Sequence, residues 1–507
     1  MSTASAWSVA LLGMEGTLVE VEAAIGGGLP RTVLVGLPDT ALYEARDRCR
    51  AAVAGAGLAW PNQLLTINLT PASLPKAGSH YDLAIVAAIL AASDVVPRRI
   101  ASSSVLVGEL GLDGRVREVR GVLPALLAAR EVGFGTAIVP AGQVAEAQLV
   151  AGITVWGVGC LADLIEVLHG RPVLGAGPEP APAEPRPCAY APDLADVRGQ
   201  REACWAMEVA AAGGHHILLH GAPGVGKSML AERLPGLLPD LSIEEALEVS
   251  AVHSLAGHSL NDGLIRRPPY SSPHHNASMA AMVGGGARVA RPGAISLAHR
   301  GVLFLDEAPE FSVRVLDALR TPMETGKVTI ARSGSQVCYP ARFQLVMAAN
   351  PCQCGMLGVP GANCSCTPMS LRRYNERLSG PILDRIDIHH RLLPSLVVSS
   401  DVTAGEASAT VAARVAVARE RQSSRLRELP WRLNGDLPGA ELRKLPHPQG
   451  MSLLDDAVRS GRLSARGVDK VLRIAWTLAD LDARDRITRA HLAAALGLRQ
   501  DSWRCAA

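Results

Sequence analysis

Apolar positions along this chain fall into short blocks whose spacing alternates between strand-like and helix-like. Val33-Leu34-Val35, Leu64-Leu65-Thr66-Ile67 and Val105-Leu106-Val107 are brief, largely β-branched or leucine-rich runs, the length of strands. Asp82 to Ala92 and Leu123 to Val132 read as helices among them, which predicts a first α/β domain over residues 1–170. A second alternating stretch, residues 195–394, contains Ile217 to Leu219, Val302 to Leu305 and Leu345 to Ala348. Strands this uniformly apolar are buried on both faces, the pattern of a parallel sheet with crossover helices. From residue 395 to 507 the pattern is helical. Val468, Val471, Leu472, Ala475, Trp476 and Ala479 form one buried stripe, with Arg466, Lys470 and Arg473 on the opposite side. Residues 171–194 hold seven prolines between Pro172 and Pro192, which sustain neither a helix nor a central strand and read as a linker.

Candidate chemistry sits at the ends of the second set of strands. The run Ile217-Leu218-Leu219 enters Gly221-Ala222-Pro223-Gly224-Val225-Gly226-Lys227-Ser228, a full match to G-x-x-x-x-G-K-[ST], and a helix-compatible segment leaves it. A triphosphate brings several negative charges, so its site needs backbone N–H groups at close range, a mobile ammonium and a metal ligand. The glycines permit the close approach. Lys227 reaches the β- and γ-phosphates, and the Ser228 hydroxyl binds Mg²⁺. The strand Gly301 to Leu305 runs into Asp306-Glu307, two carboxylates where ligands of open α/β sheets bind. Asp306 is expected to hold the Mg²⁺ shell and Glu307 to orient the attacking water. Phe343 to Ala349 ends at Asn350, an amide that can bridge the γ-phosphate and the same water; an Asx turn before Pro351 is the competing reading. Arg385 is the candidate for stabilising transition-state charge, against a surface pair with Asp384 or Asp387.

Composition narrows the setting. The chain lacks a run of about 18 apolar residues and a basic start before an apolar segment, so a soluble, unexported protein with no membrane partner is expected. Formal net charge is +2, which leaves any nucleic-acid affinity to local surface. Such surface is available from Ser395 to Ala507, where 18 Lys+Arg stand against 13 Asp+Glu. Ten cysteines in 507 residues do not make a secreted disulfide framework, and a reducing cytoplasm fits them better. Four are crowded as Cys352-x-Cys354 and Cys364-x-Cys366, a set suited to tetrahedral structural Zn²⁺, although C-x-C is rarer than C-x₂-C; free loop thiols are the alternative. The other cysteines are scattered and read as inert.

The order of these motifs, with Asp196-Val197-Arg198-Gly199-Gln200, Pro273-His274-His275, Val283-Gly284-Gly285-Gly286, Arg291 to His299, Arg342-Phe343-Gln344-Leu345 and Leu378-Ser379-Gly380-Pro381, resembles AAA+ ATPases of the magnesium-chelatase-like group, in its YifB/ComM branch. The resemblance covers essentially the whole chain. It implies a P-loop AAA+ core with a parallel sheet, a C-terminal helical lid, and a hexameric ring in which ATP sits between subunits and Arg385 acts in trans. Relatives in the ComM part of this branch are DNA helicases of branch migration, so the resemblance implies DNA as partner, or else a chelatase-type or chaperone-like ATPase that remodels a protein. Val328 to Val337 then reads as a hairpin aimed into the pore, with Arg332 at its tip tracking a phosphate backbone. Arg466 falls at the lid arginine that contacts the γ-phosphate, with Arg473 in reserve. The first domain resembles the Lon-protease-like (ribosomal S5 domain 2-like) fold. In Pro75-Lys76-Ala77-Gly78-Ser79-His80 the position of Lon's nucleophilic serine is taken by His80, and Arg120 to Pro124 lacks the partner lysine, so no peptidase activity is expected.

Overall fold

A computed structural model describes residues 2–499 apart from 37–39, 75, 77, 172–191, 287–289, 333–334, 360 and 394–404. The proline-rich segment expected to be a linker therefore lies almost wholly outside the described residues. The fold is mixed α/β, built around two separate main sheets.

The first sheet has seven strands in the order Arg31–Val35, Leu64–Thr70, Glu15–Gly26, Ser2–Leu12, Val105–Leu106, Thr136–Pro140, Thr154–Val158. Its centre is a long antiparallel hairpin, Ser2–Leu12 against Glu15–Gly26, that turns at Gly13 with φ of 67°. Small residues alternate along its first strand, so Ala4 and Ala6 are buried opposite Ala23 and Val21, and Ala10 is buried further along opposite Thr17. The absence of bulk there lets the helix Asp82–Ala92 lie against the sheet with every residue buried. Its Asp82 is held by Arg48 through two bonds of 2.8 and 3.0 Å, and burial still raises its carboxyl to about 6.

The second sheet positions the site. Its strand order is Tyr270–Ser271, Val302–Leu305, Gln344–Ala349, Ile217–His220, Ile388–Arg391, and every neighbouring pair is parallel. Because side chains alternate faces, Ile217, Leu219, Val302, Phe304, Val346 and Ala348 enter one core, while Leu218, Leu303, Leu305, Leu345, Met347 and Ala349 enter another. Double burial explains the uninterrupted apolar runs of these strands. The parallel arrangement also brings the residues after His220, Leu305 and Ala349 to one edge.

Helices Ser408–Arg425, Ala465–Leu481 and Arg489–Arg499 share the first of those cores, with Trp476 and Ile474 packed in the cluster that holds Ala210 and Ile217. Arg425 lies 4.5 Å over the Trp476 ring and bonds Asp480, which is 1% exposed. The two sheets are joined through helix Ile243–Ala256. Its Ala251 packs with Val122 and Leu126, and the Ser254 hydroxyl donates to Glu146 Oε1 at 2.5 Å. Strands Lys327–Arg332 and Ser335–Pro340 pair as a hairpin, Lys327 opposite Pro340 through Arg332 opposite Ser335. No described helix is long and apolar enough to cross a membrane.

Candidate active site

The loop after His220 wraps the start of helix Lys227–Arg233. Gly224 and Gly226 adopt φ of 78° and 95°, and a Cβ built on Gly224 would meet nothing within 4 Å, so that backbone faces open space. Gly221 is fixed differently: its N–H donates to Ala349 O at 3.2 Å, and a Cβ there would stand 2.7 Å from Leu392 O. The Gln200 amide spans this edge by donating to Leu393 O at 2.8 Å. Lys227 is buried, and its ammonium donates to Gly221 O and Ala222 O, each at 2.8 Å, and to Asn350 Oδ1 at 2.9 Å. Burial pulls its pKa below the ordinary lysine value, while Asp306 and Glu307 act in the opposite direction.

The acidic strand delivers its carboxylates to the same place. Ser228 Oγ donates to Asp306 Oδ2 at 2.8 Å, and the Glu307 backbone N–H donates to Asp306 Oδ1 at 2.9 Å. A hydroxyl and a carboxylate in direct contact form a hard-oxygen donor pair of the kind Mg²⁺ takes with a nucleotide. Glu307 has φ of 50°, an uncommon conformation for a non-glycine residue, which directs its half-exposed side chain away from the strand. There its Oε2 lies 3.5 Å from Nδ1 of His275. The phosphate-loop residues Gly221 to Ser228, Asp306, Glu307 and Asn350 are thus one cluster, and its open glycine backbone, ammonium and oxygen pair fit a Mg²⁺-bound nucleoside triphosphate.

The arginines are placed differently. Arg385 donates to Pro381 O at 2.8 Å and pairs with Glu324, not with Asp384 or Asp387 as the surface-pair alternative expected. Arg466 is exposed and lies 3.3 Å from Asp384. Lys470 corrects the expectation of a solvent-facing side. Its ammonium lies 2.6 Å from buried Asp387 and donates to Arg385 O at 3.1 Å. A turn of helix Ala465–Leu481 therefore grips the segment that carries Arg385. Arg332 ends its strand beside the hairpin tip, and its side chain lies outside the described residues. The hairpin base is packed, with Val337, Tyr339 and Ile330 against Met14 and Leu255.

Cys352, Cys354, Cys364 and Cys366 converge, their four Sγ atoms all within 4.8 Å of one another. In the first sheet's domain, the Ser79 hydroxyl donates to Glu109, and buried Lys76 donates to Gly36 O at 3.0 Å and to Pro71 O.

Comparison with known proteins accounts for this combination along the chain. Residues 193–397 match the family described as magnesium chelatase, subunit ChlI; residues 21–143 match subunit ChlI of Mg-chelatase, and residues 405–499 match its C-terminal family. An uncharacterized protein of Mycobacterium tuberculosis is 50% identical, covering 99% of this chain and 100% of its own. Protein YifB of Escherichia coli is 44% identical over 98% of this chain and 97% of its own, and competence protein ComM of Haemophilus influenzae is 40% identical over 98% of both. The chain belongs to the magnesium-chelatase-like YifB/ComM family.

Within this YifB/ComM chain, two site neighbours escape sequence reasoning. His275 was legible as a loop histidine, but only the fold brings it to Glu307. His220 ends the phosphate-loop strand with 3% exposure, and burial, reinforced by the cations Arg391 and Lys227, lowers its pKa to about 4. A histidine immediately before the motif's first glycine was the available signal, hidden inside an apolar run.

Proposed function

We propose that this chain is a Mg²⁺-dependent AAA+ ATPase that assembles into a hexameric ring and moves DNA through it. The observation that carries the ATPase reading is the paired contact of Lys227 with Asn350 and of Ser228 with Asp306, which joins three strand ends into one phosphate site. On ATP binding Lys227 turns from the loop carbonyls to the β- and γ-phosphates, while Ser228 and Asp306 hold Mg²⁺. Held there, Mg²⁺ would supply charge neutralisation for the transferring phosphoryl group. Glu307 orients and polarises the attacking water, and Asn350 fixes that water from the other side. Arg385 serves the neighbouring subunit's site. Arg466 and the C-terminal helices act as a lid. The first domain is a Lon-like scaffold, its Ser79 and Lys76 engaged with Glu109 and backbone carbonyls and without a role in peptide cleavage.

DNA as the cargo is supported by the 40% identity to a protein named for competence and by the hairpin ending at Arg332. The test is ATP hydrolysis with and without single-stranded, duplex and forked DNA. DNA should accelerate turnover, and Arg332→Ala should blunt that acceleration while leaving basal hydrolysis unchanged. A rate indifferent to all three DNAs would move the reading to an ATPase that remodels a protein partner.

A further inference from the structure

The four cysteines occupy a specific place relative to the phosphate loop. Cys352 follows Asn350 by two residues, and Cys366 precedes helix Pro368–Glu376, whose N-terminus is capped by Thr367 with a 3.2 Å bond from the Ser370 N–H. Inside the loop, Cys352 and Cys354 sulfurs are 3.3 Å apart, Cys352 and Cys364 are 3.8 Å apart, and Cys354 and Cys364 are 3.6 Å apart. A tetrahedral metal with four bonds of ~2.3 Å sets sulfur–sulfur separations of roughly 3.8 Å. Cys352 is fully buried, and its sulfur accepts the Leu357 N–H at 3.4 Å, the outer-shell bond that steadies a thiolate ligand. Gly355 has φ of 78°, and a Cβ placed on it would lie 2.5 Å from Pro223 Cγ. The cysteine loop is thus pressed against the phosphate loop on one side and joined to Asn350 on the other.

We propose that Cys352, Cys354, Cys364 and Cys366 bind one Zn²⁺ as a four-thiolate site, and that this metal positions Asn350 and the Pro223 side of the phosphate loop for ATP hydrolysis. Zn²⁺ suits the donors, since soft thiolates in tetrahedral array select it and it undergoes no redox change. Each ligating thiol gives its proton to solvent as its sulfur bonds the metal, so metal uptake releases acid. Closing a loop of this length with a metal removes the freedom of the segment after Asn350, the residue that receives Lys227. The positioning role rests on the ATPase reading, whereas the metal site stands without it.

The experiment uses the full chain purified under reducing conditions without added metal. Elemental analysis should find about one zinc per chain, and Co²⁺ exchanged into the site should show the strong sulfur-to-cobalt charge-transfer band of thiolate ligation. The double change Cys364→Ser, Cys366→Ser keeps buried Cys352 and should abolish both signals. It should also lower turnover at saturating ATP roughly tenfold, the scale on which outer-shell support acts. Amide exchange of residues 221–226 and 348–352 should quicken when a chelator strips the wild-type chain, and slow again when Zn²⁺ is returned. Folded protein that carries no zinc and takes up no Co²⁺ would overturn the site. Metal removal that leaves exchange at 221–226 unchanged would overturn the positioning role. A wild-type chain that never hydrolyses ATP would sink the ATPase reading instead, and the metal and exchange measurements would still decide this one.

Discussion

At the scale of single residues, the proposed ATP site separates the groups assigned to phosphate and metal from the one assigned to water. Ser228 and Asp306 are in contact, so each is oriented by the other, whereas Glu307 points away on its unusual backbone toward His275. Glu307→Gln should abolish turnover while retaining ATP binding, and Lys227→Ala should lose both, measured by phosphate release and by equilibrium binding of a labelled nucleotide. Normal hydrolysis by Glu307→Gln would reassign the water-orienting role. His220 makes a separate prediction about acid. Its pKa falls from 6.5 to about 4 on folding, so between those values the unfolded chain binds a proton that the native chain refuses. Its contribution to stability is therefore intact above pH 6.5 and declines as pH falls toward 4, by about 3 kcal/mol in total. Chemical denaturation at pH 7.5 and 5 should show the larger part of this loss, and His220→Gln should lessen the pH dependence without removing it, because burial also lowers the His216 pKa to about 4. The motif residues were legible because phosphate chemistry constrains their identity and spacing. His220 and His275 were not, because their significance lies in what folding places beside them.

At the scale of elements, legibility followed burial. The strands Val302–Leu305 and Gln344–Ala349 announced themselves because both faces are covered, and the helix Asp82–Ala92 because it is apolar all round. The hairpin Ser2–Leu12 with Glu15–Gly26 went unread. Its inward positions are largely alanine, a residue without strand preference, and only the helix packed on it makes small side chains the right filling. Helix Ala465–Leu481 was legible as a helix with a buried stripe, but not in its third contact. Lys470 looks like a solvated face residue in sequence and is instead the partner of buried Asp387 and of the Arg385 carbonyl. Lys470→Met should cost about 3 kcal/mol by leaving Asp387 without its counter-ion, and adding Asp387→Asn should return part of that. Hydrolysis should fall more than binding, because the displaced segment carries Arg385. A stability loss with unchanged turnover would confine Lys470 to the fold.

At the scale of the whole molecule, the proposed ring divides each ATP site between two neighbouring chains. The phosphate loop, Asp306, Glu307 and Asn350 gather at the sheet edge, while Arg385 is held elsewhere by Glu324, Pro381 and Lys470. A head-to-tail ring unites such halves, since each subunit then offers its loop to one neighbour and its arginine to the other. Arg385→Ala should lower turnover about 10³-fold with nucleotide binding preserved, as loss of a transition-state arginine does. Lys227→Ala disables the other half. In the proposed ring the two defects lie on opposite sides of an interface, so mixing the inactive variants should restore pairings in which an intact loop meets an intact arginine. Random assembly of equal amounts makes roughly a quarter of the interfaces complete. Activity should therefore reappear on mixing and subunit exchange, toward a quarter of the wild-type rate if sites fire independently. If Arg385 acted within its own subunit, each mixed chain would still lack one half, and the mixture would hydrolyse ATP no faster than the two variants apart.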